Sequence, residues 1–133
     1  MSTPRTGLLL SDDLLFISRI TGTARGLGLT LRPARSAEAL QELARQETPA
    51  CVIVDLANPG LVIAELVAGL RADGRPVRVV AYGSHVDTPT LRAARAAGCD
   101  LVLPRSKFVQ DLPTELPVWM GASPAPPTPE GPR

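Results

Sequence analysis

Short apolar runs alternate with stretches of helical periodicity along most of this chain. TGLLLS at 6–11 predicts a first strand. Leu14, Ile17 and Ile20 then recur every three residues with Phe16 beside them, predicting a helix over 13–25 that stops at the glycine-rich RGLG. LTLRP at 29–33 alternates weakly and predicts a second strand. Ser36 is placed to cap a helix to Gln46, with Ala39, Leu40, Leu43 and Ala44 on one face. CVIVD at 51–55 is a third strand, and 61–73 is apolar and helical through Ile63, Leu66, Val67 and Leu70. After the turn DGRP, VRVVAY at 77–82 is a fourth strand. Pro89 suits the first turn of a helix that ends at Gly98, and DLVLP at 100–104 is a fifth strand. Ser106 is placed to cap a last helix, which Pro113 limits to roughly two turns because proline has no N–H to give. Residues 121–133, GASPAPPTPEGPR, are Pro-rich without apolar pattern and predict a disordered tail behind one domain over 1–120. PAPPTP within it is either a polyproline ligand or, more simply, part of that tail.

Strands that alternate with helices predict a parallel α/β sheet covered on both faces. The second strand, carrying Arg32, suits an edge. In such sheets the crevice lies beyond the carboxyl ends of the strands, which is where Asp55 closes its strand and where Asp12 and Asp13 follow the first. Neighbouring strands lie about 5 Å apart, so the three carboxylates are expected to converge, repel one another and recruit a cation. Magnesium suits such a set, and an aspartate can itself be a phosphoryl acceptor. Arg105 or Lys107, after the fifth strand, would supply a counter-charge. The simpler roles are helix capping for Asp12 and Asp13, a salt bridge to the acids for Arg105, plain solvation for Lys107 and a surface position for His85, whose alternative is proton transfer or partner contact.

Composition narrows the partners. The net charge is +1 and the basic residues are dispersed, which argues against nucleic acid or an anionic membrane surface. Cys51 and Cys99 have no metal-ligand spacing and read as small buried residues of a reducing compartment. No leader and no run of transmembrane length is seen, so a cytoplasmic protein is expected. With only Phe16, Tyr82, Phe108 and Trp119 as aromatics, the core should be aliphatic. No Cys–His or Ser–His pair and no phosphate loop supports an enzyme or a small-ligand binder on this architecture.

LLSDDLLF, VIVDLANPG and AAGCDLVLPRSKF resemble the receiver domains of phosphorelay response regulators, over residues 6–112. The resemblance implies a flavodoxin-like, doubly wound sheet of order 2-1-3-4-5. It implies magnesium at Asp12, Asp13 and Asp55, and phosphate received on Asp55 from a histidine kinase. It further implies a stand-alone, non-enzymatic protein whose output is a downstream effector protein, a dimer being compatible. The family's hydroxyl after the fourth strand falls on Gly83, with Ser84 one step along. Its lysine falls on Arg105 and its switch aromatic on Val102, while its polar–Gly pair falls on Val62 and Ile63, either a docking patch or packing of the third helix. These departures support an alternative: a pseudo-receiver that acts through protein contacts without phosphate.

Overall fold

A computed structural model describes residues 6–121; the Pro-rich segment from 122 onward lies outside the described residues. Five strands alternate with five helices: β1 (Thr6–Leu10), α1 (Leu14–Gly26), β2 (Thr30–Ala34), α2 (Ala37–Glu47), β3 (Cys51–Asp55), α3 (Ile63–Leu70), β4 (Arg78–Gly83), α4 (Thr88–Ala96), β5 (Leu101–Pro104) and α5 (Arg105–Trp119). All pairings are parallel and the order is β2-β1-β3-β4-β5. The flavodoxin-like architecture expected from the sequence is therefore the one observed. The strand β2 is an edge, where Pro33, unable to donate to a ladder, is tolerated.

Strand alternation builds two cores. Leu8, Leu10, Val52, Val54, Val79 and Ala81 face α2, α3 and α4. Leu9, Ile53, Val80 and Tyr82 face α1 and α5. Burying each large aliphatic side chain contributes roughly 1.5–3 kcal/mol, so covering both faces supplies most of the stabilisation. Gly7 allows the close approach of β1 to its neighbours: a Cβ there would stand 2.6 Å from Leu31 Cδ2 and 2.7 Å from Met120 Sδ. At the opposite end of the sheet from Asp55, Arg71 donates to Gly98 O at 2.7 Å and to Asp100 Oδ2 at 2.6 Å, tying the end of α3 to the entry of β5.

Three expectations are corrected. The last helix is not two turns but 15 residues, with Pro113 and Pro117 inside it. Phe108, Leu112, Leu116 and Trp119, spaced by four, four and three, form a continuous buried row. Burial of that row outweighs the backbone hydrogen bonds the two prolines cannot donate. Ser106 does not cap this helix: Pro104 holds the cap position and no side chain accepts there. The apolar stretch 61–73 is helical only over Ile63–Leu70, followed by a 3₁₀ turn at Ala72–Gly74, where Asp73 and Gly74 take positive φ.

The core is also not purely aliphatic. All four aromatics gather under α1 and α5: Tyr82 stacks on Phe108 with ring centroids 4.5 Å apart, Phe108 on Trp119 at 5.8 Å, and Phe16 meets Tyr82 edge-on at 5.2 Å. Phe108 is the centre of this row and is fully buried. Phe108→Ala should therefore lower unfolding stability by about 3–5 kcal/mol, read as a reduced urea midpoint. A loss below about 1 kcal/mol would mean that the aromatic row is dispensable.

Candidate functional site

The carboxyl ends of β1, β3 and β4 and the β5–α5 junction meet at one edge of the sheet. Asp55 ends β3 there, is only 3% exposed, and has both carboxylate oxygens engaged. Its Oδ1 accepts from the Ala57 N–H at 2.9 Å and its Oδ2 accepts from the Ser11 hydroxyl at 2.9 Å. Ser11 is fully buried; its N–H donates to Ala34 O and its Oγ also accepts from the Asp13 N–H at 3.2 Å. One hydroxyl thus joins the ends of β1 and β3 to the start of α1.

The three carboxylates do not converge as expected. Asp13 caps α1, its Oδ1 accepting from the Phe16 N–H at 3.1 Å, and Asp12 is exposed. Among the described residues no three His, Cys, Asp or Glu side chains are gathered closely enough to hold a metal ion. The side chain that reaches Asp55 from β1 is Ser11. The reason is helix phase. The helix needs an acceptor immediately before Leu14, Asp13 fills that position, and the residue turned inward at the strand's end is two places earlier.

Tyr82 lies opposite Asp55 in the β3–β4 register and is fully buried. Its hydroxyl is close enough to Ser11 and Asp55 to feel both, yet it completes no hydrogen bond of normal geometry. Burial first, and the Asp55 charge second, push its phenol above the ordinary value of 10.0. Asn58 is buried in the following loop, where its N–H donates to Asp55 O and its Nδ2 to Arg35 O.

Above Asp55 opens a cleft of 830 Å³ lined by Ser84, His85, Arg105, Arg19, Ser106 and the ring of Phe16, with Ala57, Gly83 and Val109 completing its walls. Asp55, Ser84, Arg105 and His85 thus all line one cleft. Arg105 does not pair with Asp55. Its guanidinium lies 4.8 Å above the Phe16 ring and 5.9 Å from that of Tyr82. The salt bridges among the described residues are Arg32–Glu47, Arg45–Glu42, Arg71–Asp100 and Lys107–Asp111, so Lys107 is committed elsewhere. Val62, 54% exposed, precedes α3 and does not pack it, whereas Ile63 does pack against the core. Leu14, Leu15, Val62 and Val86 leave exposed apolar side chains on the loops and helix start at this edge.

Sequence reasoning missed Ser11, Arg19, Ser106 and Tyr82. Ser11 carried a readable signal: it is the one polar residue between the apolar run and the acid pair. Arg19 falls three residues after Phe16 and so on the same helix face, a signal legible only once the direction of that face is known.

No protein-family model matches the chain, and no curated protein matches it. Solved structures do. A CheY-like receiver domain protein from Methanospirillum hungatei superposes with a TM-score of 0.77 at 13% identity, over 90% of this chain and 96% of that one. The receiver domain of NtrX from Brucella abortus gives 0.75 at 18%, over 88% and 99%. The chemotaxis response regulator CheY4 of Vibrio cholerae gives 0.75 at 15%, over 88% and 99%. The chain therefore has the fold of CheY-like response-regulator receiver domains. No helix among the described residues is long and apolar enough to cross a membrane.

Two predictions follow from the hydroxyls. Ser11→Ala strips Asp55 Oδ2 and the Asp13 N–H of their partner, and should cost about 1–3 kcal/mol in denaturant unfolding at neutral pH. Tyr82→Phe removes a hydroxyl that has no partner and should be neutral, or stabilising by up to about 1 kcal/mol. Because the folded phenol titrates above its unfolded value, the folded state holds the proton longer. Wild-type stability therefore falls as pH rises past 10.0. Tyr82→Phe should flatten that fall in an alkaline unfolding series.

Proposed function

We propose that this chain is a receiver-type signalling module that works through contact with an effector protein and does not require phosphate on Asp55. The observation that carries this reading is the Ser11–Asp55 hydrogen bond. Phosphoryl transfer to a carboxylate needs a free nucleophilic oxygen and a cation to neutralise the incoming charge. Here both oxygens of Asp55 already accept hydrogen bonds, one from a backbone amide and one from a hydroxyl, which lowers their nucleophilicity, and Asp13 caps α1. The exposed Leu14, Leu15, Val62 and Val86 at the same edge support recognition by protein contact.

A second reading keeps Asp55 as phosphoacceptor from a histidine kinase. It is favoured by one observation, that Asp55, Ser84 and Arg105 line the same cleft. In that reading magnesium would be held among Asp12, Asp13 and Asp55 with water and would neutralise charge on the phosphoryl group. Ser84 and Arg105 would contact its oxygens. In both readings the output is a protein partner, a soluble cytoplasmic setting fits, and nothing calls for nucleic acid.

Intact mass after incubation with magnesium and acetyl phosphate separates the two, with Asp55→Asn as control. The expected outcome is no phosphate-sized gain in a folded wild-type protein. A gain that Asp55→Asn lacks would overturn the first reading and establish the second.

A further inference from the structure

We propose that the cleft above Asp55 is a reversible binding site for a small organic oxyanion, a phosphate or carboxylate carried on an apolar body. The inference deepens the phosphate-independent reading, since it requires that Asp55 stay unmodified. The first argument is size. At 830 Å³ the cleft is far larger than a phosphoryl group and falls within the range of about 300–1,000 Å³ typical of small-molecule sites.

The second argument is charge. Arg19 and Arg105 both line the cleft and neither is paired among the described residues, whose salt bridges all lie elsewhere. The one carboxylate facing them, Asp55, already accepts two hydrogen bonds. His85 lines the same cleft and adds ring nitrogens for hydrogen bonding. The third argument is the start of α5. This 15-residue helix begins Arg105-Ser106-Lys107, with no acid in its first turn and no side-chain cap. Cations at the positive end of a helix oppose the usual preference, and an anion in the cleft would relieve that conflict.

The fourth argument is orientation. The Arg105 guanidinium lies over the Phe16 ring at 4.8 Å, a cation–π contact that positions it in the cleft, and its N–H groups are in no salt bridge among the described residues. Phe16 and Val109 supply an apolar wall, and Ser84 and Ser106 supply hydroxyls. The combination suits an anionic group on a flat or apolar body more than a bare ion.

The test is calorimetric titration of the full chain with phenyl phosphate, inorganic phosphate and phenol, with intact mass recorded afterwards. Phenyl phosphate should bind saturably and weaken with added salt; phosphate alone should bind more weakly and phenol should not bind. Arg19→Gln and Arg105→Gln, both at exposed positions, should each weaken phenyl phosphate roughly tenfold, the scale of one charge-assisted hydrogen bond. Asp55→Asn should tighten it, because a repelling charge is lost. Absence of saturation up to about 10 mM, or binding indifferent to both arginine variants, would overturn the site. A phosphate-sized mass gain during the titration would also overturn it, since the ligand would then be transferring a group. Failure with no mass gain leaves the phosphate-independent reading to stand on the acetyl phosphate result, so the two can fail separately.

Discussion

The hydrogen bond from Ser11 Oγ to Asp55 Oδ2 is the contact on which the site is organised. A carboxylate nearly removed from water must find donors or give up its charge. Asp55 finds one in the loop that follows it and one at the end of the neighbouring strand. The second fixes the geometry, because Ser11 is also bonded to Ala34 of β2 and to the Asp13 amide at the start of α1. Three strands and a helix thereby share one polar centre, in a sheet whose two faces are otherwise apolar.

That centre differs chemically from a cluster of acids. A hydroxyl donates where a second carboxylate would repel, so it stabilises the charge on Asp55 without a cation. Arg19 and Arg105 above it are in no salt bridge among the described residues. The cleft thus has a hydrogen-bonded carboxylate at its floor and two arginines, Arg19 and Arg105, along its lining.

The aromatic row connects this edge to the body of the fold. Phe16 belongs to α1, Tyr82 to β4, and Phe108 and Trp119 to α5, so their contacts join two helices across one face of the sheet. Arg105 rests on the first of these rings. The position of a cleft residue thus depends on packing that runs the length of α5.

Much of this was legible in the chain itself. Apolar spacing located the strands and most of the helices, because it follows directly from which faces must be buried, whereas the last helix was marked only by capping and proline signals that gave it the wrong cap and length. Strand-end placement put Asp55 and Arg105 at one edge for the same reason, and the family resemblance pointed to Ser84 beside them. What the one-dimensional pattern could not decide was side-chain direction. Whether Asp13 or Ser11 turns inward depends on the phase at which α1 begins. Whether Arg105 meets Asp55 or Phe16 depends on the distance between β3 and α5, and whether Pro113 ends a helix depends on what its neighbours bury. These are outcomes of competition among contacts far apart in sequence, and only the assembled sheet with its helices sets their balance.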